Sequence, residues 1–68
     1  MQYDMIIYWS PDDSRYIVSV PDLDGCMADG ITREEAVRNA ERIIAEWIEI
    51  AREDGREIPE PKRKHLLV

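Results

Sequence analysis

The chain begins with apolar and polar residues in alternation and changes to helical spacing after residue 32. Alternation places side chains on the two faces of a strand, whereas recurrence every three or four residues marks one face of a helix. Residues 2–9, 15–20 and 26–29 therefore predict three short strands, and residues 32–54 predict one long helix. A last apolar segment, 66–68, predicts a short fourth strand, so the pattern indicates an α+β fold in the order β-β-β-α-β.

The first predicted strand is apolar on both faces. We expect one of these faces to lie in the core, and its residues are Tyr3, Met5, Ile7 and Trp9. Ile6 and Tyr8 occupy the opposite face together with Asp4. The turn residues at 10–14 predict a hairpin, which pairs the odd-numbered set with Val18 and the other even-numbered residues of the second strand.

The helix has a sequence signal at each end. Thr32 and Glu35 form a T-x-x-E capping box, and Gly55 stands where a helix of this length ends. Its apolar positions fall in one broad stripe that we expect to lie on the sheet. The stripe consists of Ala36, Val37, Ala40, Ile43, Ile44, Trp47, Ile48, Ile50 and Ala51.

Length and charge narrow the classes of function. A chain of 68 residues forms a single domain, 1–68, with marginal stability of its own, and one cysteine and one histidine leave no disulfide or metal to reinforce it. Self-association or a protein partner is the remaining source of stability. A net charge of −6 repels phosphate and disfavours direct nucleic-acid binding. The lack of a long apolar run and of paired cysteines predicts a cytoplasmic protein without a membrane span.

Candidate reaction centres are weak. A metal-dependent nuclease needs several converging carboxylates, and only Asp4 lies on the first strand. The turn carboxylates Asp22, Asp24 and Asp29 lack the ligand spacing of a calcium loop. Cys26 has no neighbouring histidine or second cysteine and is expected to be a small buried residue. The sequence therefore predicts no catalytic, metal-binding or cofactor-binding residue, and no enzyme.

The middle of the chain resembles the N-terminal domain of HicB-type antitoxins, and the resemblance extends to Pro59 and Pro61. Its motif residues are Tyr16, Val20-Pro21-Asp22-Leu23, Gly25-Cys26, Gly30, Thr32 and Glu34-Glu35-Ala36. The chain departs from the family at Asp24, where many members have proline, and at Ile31, where Gly-Asp-Thr is common. The resemblance implies a degraded, partial RNase H-like fold with strand order 3-2-1-4, the fourth strand being parallel to the first.

The same resemblance implies that the chain neutralises a small basic HicA-type toxin, which cleaves mRNA, by covering it. Many HicB proteins continue into a DNA-binding domain, and this chain is expected to be a short form without one. We predict contact with the toxin or with a second copy through apolar residues that face away from the helix and through acidic residues around them. The predicted contact residues are Ile6, Tyr8, Ile17, Asp22, Asp24, Met27 and Asp29.

Two other functions remain open from the sequence. One is a stand-alone oligomeric regulatory or structural protein with no toxin, since an apolar sheet face also suits a homodimer or higher homo-oligomer. The other is a residual metal-dependent RNase H-like nuclease, for which the missing carboxylates are unfavourable.

Overall fold

The computed structural model describes residues 3–61 of the chain. They form strand β1 (Ile6–Ser10), strand β2 (Arg15–Ser19), strand β3 (Met27–Gly30) and helix α1 (Arg33–Glu53). The strands make one antiparallel sheet in the order β1-β2-β3, and α1 packs on β2 and β3. The predicted α+β architecture is confirmed for this part of the chain. The predicted fourth strand, 66–68, lies outside the described residues.

The hairpin between β1 and β2 has the predicted turn. The backbone N–H of Asp13 donates to the Ser10 carbonyl at 3.2 Å, and the Ser10 hydroxyl donates to the Asp13 carboxylate at 3.0 Å. Ser14 completes the reversal with a left-handed φ of 52°. The resulting register places Ile7 opposite Val18 and Trp9 opposite Tyr16, as the alternation predicts.

The core lies between the sheet and the helix, and small residues dominate its helical side. Two buried valines come from β2 and the residue after it, Val18 and Val20. Leu23 and Cys26 come from the connection to β3. The helix meets them with Ala36, Ala40 and Ile44, and Tyr3 closes the N-terminal end. Because alanine has almost no side chain, the helix axis can approach the sheet closely.

The expected burial of β1 is wrong in part. Tyr3 and Met5 pack on the core but precede the strand, whereas Ile7 and Trp9 are 40% and 48% exposed. Ile7 and Trp9 have the predicted strand register. The error in their predicted burial therefore concerns which element covers them. The helix contacts β2 and β3, and it does not extend over the middle of β1.

The connection from β2 to β3 is a tight loop that extends the strand pairing. Val20 N–H donates to the Cys26 carbonyl at 3.0 Å, and Cys26 N–H donates to the Leu23 carbonyl at 3.0 Å. Gly25 supplies a left-handed φ of 73°. Cys26 is therefore buried and Met27 points outward, as predicted, although β3 begins and ends one residue later than expected.

The helix begins at the predicted cap with one difference in detail. The Thr32 side chain accepts from Glu35 N–H at 3.0 Å, but Glu35 Oε1 accepts from Ile31 N–H at 2.7 Å rather than from the N–H of Thr32. At the other end Gly55 has a φ of 72°, and Arg56 N–H returns to the Ala51 carbonyl at 2.8 Å, which is a Schellman motif.

The apolar stripe of the helix is narrower than predicted. Ile50 is 53% exposed, because it lies roughly 100° round the helix from the buried Ala51, at the margin of the contact with the sheet. After the helix, the Pro59 carbonyl accepts a hydrogen bond from the Tyr3 hydroxyl. The chain therefore passes beside the residues that lead into β1.

Gly30 allows the start of the helix to lie against the end of β3. A Cβ at this position would stand 2.5 Å from Ala36 N and 2.9 Å from Ala36 Cα. These are backbone atoms of the first helical turn, so they cannot move aside without shifting the helix.

We expect Gly30→Ala to lower the free energy of unfolding by about 1–3 kcal/mol, because the added methyl forces the helix away from the sheet. Urea unfolding followed by circular dichroism measures it. Gly25→Ala is the control, because its Cβ meets nothing within 4 Å and only the left-handed φ is strained. A Gly30→Ala variant as stable as wild type would contradict the proposed close approach.

Burial raises the pKa of the Cys26 thiol, because desolvation disfavours the thiolate. The unfolded chain releases this proton at lower pH than the folded chain, so stability falls as pH rises above the unfolded value of about 8.5. We expect wild type to lose more stability than Cys26→Ala between neutral pH and about pH 10. Parallel losses in urea titrations of the two proteins would show that the thiol makes no contribution.

Candidate partner-binding surfaces

The face of the sheet opposite the helix presents two complete rows of side chains. Strand pairing aligns Ile6, Ser19 and Met27 in one row, and aligns Tyr8, Ile17 and Asp29 in the next. Ser10 and Arg15 begin a third row. We call this surface the sheet face. It brings together five of the seven predicted contact residues.

The sheet face is apolar and open to solvent. Ile6, Tyr8 and Met27 are exposed, and Ile17 is half-buried between them. A shallow depression of about 300 Å³ is lined by Ile17, Met27, Ala28 and Asp29. Neighbouring exposed apolar side chains of this size are typical of a surface that binds another protein.

The two charged residues at the paired positions of the sheet face, Arg15 and Asp29, have opposite signs. Arg15 Nη1 lies 3.8 Å from Asp29 Oδ2, and both side chains are partly exposed. A pair of this kind contributes at most about 1 kcal/mol to stability, since solvent screens it. Its effect on recognition is larger, because it leaves the sheet face without net charge from these two groups.

The structure separates Asp22 and Asp24 from the other five predicted residues. They line a cavity of about 410 Å³ beside the C-terminal half of the helix. The other lining residues are Trp47, Arg56, Glu57 and Pro59. We call this surface the turn cavity. It shares no lining residue with the depression on the sheet face.

Trp47 forms the wall of the turn cavity. Its indole Nε1 donates to the Asp24 carbonyl at 2.9 Å, and the Arg56 guanidinium carbon lies 5.7 Å from its ring centroid. The sequence predicted Trp47 as a core residue, and it does pack against the core while remaining half-buried. The need of an indole N–H for an acceptor is the signal that could have indicated this contact from the sequence.

Among the described residues that line the cavity, carboxylates outnumber cations. Asp22, Asp24 and Glu57 contribute three negative charges, and Arg56 contributes one positive charge. Sequence reasoning missed Arg56 and Glu57, because they follow the helix in a stretch without periodicity. The turn cavity can therefore attract a basic partner, whereas the sheet face attracts an apolar one.

The edge of β1 that faces away from β2 is a third surface of the described residues, and it is apolar. Trp9 contacts Tyr16 in an edge-to-face arrangement with ring centroids 4.9 Å apart, and the Arg33 guanidinium lies 5.4 Å from the Tyr16 ring centroid. These contacts connect the edge strand to the start of the helix. The strand itself, Ile6–Ser10, contains no charged residue and no proline.

Within residues 3–61 no group of three or more histidine, cysteine, aspartate or glutamate side chains is placed to hold a metal ion. Asp4 is exposed and lies between the buried Tyr3 and Met5, which packs against the core. No helix of this part of the chain has the length and hydrophobicity needed to cross a membrane.

Comparison with known proteins gives two relatives. The chain is 34% identical over 68 residues to UPF0150 protein Ta0767 of Thermoplasma acidophilum, and the match covers 100% of this chain and 97% of the relative. It is 48% identical over 44 residues to an uncharacterized 14.9 kDa protein in the rep-hol intergenic region of Haemophilus phage HP1, covering 65% of this chain and 33% of that protein. No solved structure is a significant match.

A family model also covers almost the whole chain. The model describes the HicB_like antitoxin of bacterial toxin-antitoxin systems, and it matches residues 3–67. The match includes the three described strands, the helix and the three surfaces described above. This chain belongs to the HicB-like antitoxin family.

Proposed function

We propose that this chain neutralises a small basic HicA-type mRNA-cleaving toxin in the cytoplasm by binding over it, one antitoxin chain to each toxin, and that it also associates with itself. Membership of the antitoxin family supports a toxin partner in general. The observation that carries the more specific proposal is the turn cavity, which is lined by three carboxylate residues and a half-buried indole. Neutralisation is by occlusion and requires no catalytic residue of this chain.

The turn cavity suits a basic partner for two reasons. The described residues that line it have a net negative charge, which is part of the charge of −6 on the whole chain, so a cationic protein is drawn toward it before contact. Trp47 then offers an aromatic face on which a guanidinium can stack, as Arg56 already does within the chain. Carboxylates beside that face can accept hydrogen bonds from the same group.

We also propose that residues 66–68 form a short fourth strand parallel to β1, in the order 3-2-1-4 of a partial RNase H-like fold. The bond between Tyr3 and the Pro59 carbonyl brings the chain to the start of β1. From Pro61 the seven remaining residues span about 23 Å when extended, enough to follow a five-residue strand of about 17 Å. A fourth strand would cover an edge that has no charge or proline to protect it.

A stand-alone oligomeric regulatory module without a toxin is the alternative function. The apolar sheet face, whose two paired charges have opposite signs, favours it, because such a surface suits a second copy as well as a toxin. A residual nuclease has no comparable support among the described residues.

We expect Asp24→Lys to slow association with a HicA-type toxin and to weaken binding roughly tenfold, because it reverses a charge at the turn cavity. Association rates and inhibition of RNA cleavage measure the effect. Glu46→Lys, on the exposed side of the helix, is the matched control with the same change in net charge. Equal effects of both substitutions would remove the turn cavity from the contact. Full cleavage in the presence of excess wild-type chain would overturn the proposed function.

We expect Leu67→Pro to accelerate hydrogen exchange at β1 amides that point away from β2, because proline cannot pair in a fourth strand. Exchange measured by NMR on the full chain reports these amides individually. Leu67→Val is the control, since it keeps the N–H and suits a strand. Identical β1 exchange in the proline variant and the control would refute the fourth strand.

A further inference from the structure

We propose that the turn cavity takes one arginine side chain of the toxin, and that Arg56 occupies this place on the Trp47 ring until the incoming arginine replaces it. The inference rests on the proposed function, because it names the chemical group that the same cavity receives and adds a competitor within the chain. The observation that carries it is the position of Arg56, whose guanidinium carbon lies 5.7 Å from the Trp47 ring centroid.

The Trp47 ring is a fixed surface for a cation. Its indole Nε1 donates to the Asp24 carbonyl at 2.9 Å, and its side chain is half-buried and packs against the core. A ring held in this way loses little conformational freedom when a ligand stacks on it. A second guanidinium on the same ring would lie close to Arg56, and two cations at short distance repel each other. A guanidinium from outside therefore replaces Arg56 and does not join it.

Arg56 is held on the ring weakly. Its backbone is fixed, because its N–H donates to the Ala51 carbonyl at 2.8 Å. Its side chain is exposed, and among residues 3–61 it forms no ion pair with the carboxylates that line the cavity. A cation–π contact in water is weak, and exposed side chains change rotamer within nanoseconds. The guanidinium can therefore leave the ring while the backbone stays in place.

An incoming arginine can make contacts that Arg56 does not make. Asp24 and Glu57 are exposed and line the same cavity. A guanidinium is planar, so its face can stack on an indole while its in-plane N–H groups donate to a carboxylate. Arg56 uses the ring alone. An arginine that uses both the ring and a carboxylate is therefore bound more strongly and displaces it.

The cavity suits a single arginine side chain better than a lysine. Its volume of about 410 Å³ is near the lower end of the range for ligand pockets, roughly 300–1,000 Å³. The ammonium group of lysine is a compact, strongly hydrated charge that has no plane to stack on the ring. The two side chains have the same charge, so a preference between them reports the ring contact and not the acidity of the cavity.

N-acetyl-argininamide, whose guanidinium is its charged group, tests the cavity without any toxin. We expect it to shift the indole N–H signal of Trp47 in NMR spectra of the full chain, with saturation between about 1 mM and about 100 mM. The signal of Trp9, the other tryptophan, is the internal reference and should shift less. N-acetyl-lysinamide should bind at least about threefold more weakly. Absence of a shift at Trp47, or equal binding of the two probes, would overturn the proposal.

Removal of the competitor should open the site. We expect Arg56→Ala to bind N-acetyl-argininamide roughly two- to fivefold more tightly than wild type, which is the size of an exposed cation–π contact. Arg52→Ala is the matched control, because it removes the same charge from the last turn of the helix and leaves the stacked cation in place. Arg56→Lys keeps the net charge and should give a smaller gain. Equal affinities of Arg56→Ala and Arg52→Ala would refute the competition.

A double substitution shows whether Arg56 acts through the ring. Trp47→Leu removes the ring and keeps an apolar side chain, and in that background Arg56→Ala should give no gain in affinity. Backbone amide signals of Asp24 and Glu57 report binding, and circular dichroism reports the helix. If Trp47→Leu does not fold, Trp47→Phe should reduce the gain, since phenylalanine makes a weaker cation–π contact. An undiminished gain in the folded variant would mean that Arg56 acts through its charge alone, which contradicts the exchange.

A toxin assay separates this inference from the proposed function. We expect Arg56→Ala to inhibit a HicA-type toxin at a lower concentration than Arg52→Ala does. If both variants inhibit RNA cleavage with equal potency, the exchange is wrong and the proposed function stands. If N-acetyl-argininamide binds in the expected order but excess wild-type chain never slows RNA cleavage, the proposed function fails and the preference of the cavity for arginine stands.

Discussion

One helix must cover a sheet that is wider than the helix. A helix with its side chains is about 10 Å across, whereas three strands about 4.8 Å apart present a broader surface. In this chain the helix is drawn close to β2 and β3 by Gly30 and the alanines of its buried stripe. The edge strand β1 is left with two apolar faces in water, and the surfaces available for partners follow from that geometry.

Sequence periodicity predicted the faces of the strands better than their burial. The alternation of Val18, Val20 and Cys26 correctly identified the core side, because a one-residue shift would have exposed all of them. The same alternation assigned Ile7 to that side correctly, but its exposure depends on where the helix lies laterally. Periodicity contains no information about lateral position, which is set by the close contact at Gly30.

The predicted contact residues divide for a similar reason. The register between strands determines which residues are neighbours on a sheet. The grouping of Tyr8, Ile17 and Asp29 could therefore be expected from the sequence. Asp22 and Asp24 lie in a loop, and the direction of a loop depends on its hydrogen bonds rather than on strand register. The indole of Trp47 fixes that direction by donating to the Asp24 carbonyl, across 23 positions of sequence. A tertiary contact of this kind is invisible to patterns read along the chain.

The small core connects these surfaces to stability. Its largest fully buried side chains are Leu23, Val18 and Val20, and the helix contributes mainly alanine. A domain of this size retains only a few kcal/mol of stability. A partner that binds only the folded chain raises the free energy of unfolding by RT ln(1 + [L]/Kd). This term reaches about 2.7 kcal/mol when the free partner concentration is a hundred times Kd. A toxin that binds the folded chain would therefore stabilise this small core, so occupation of a surface site shifts the whole chain toward its folded state.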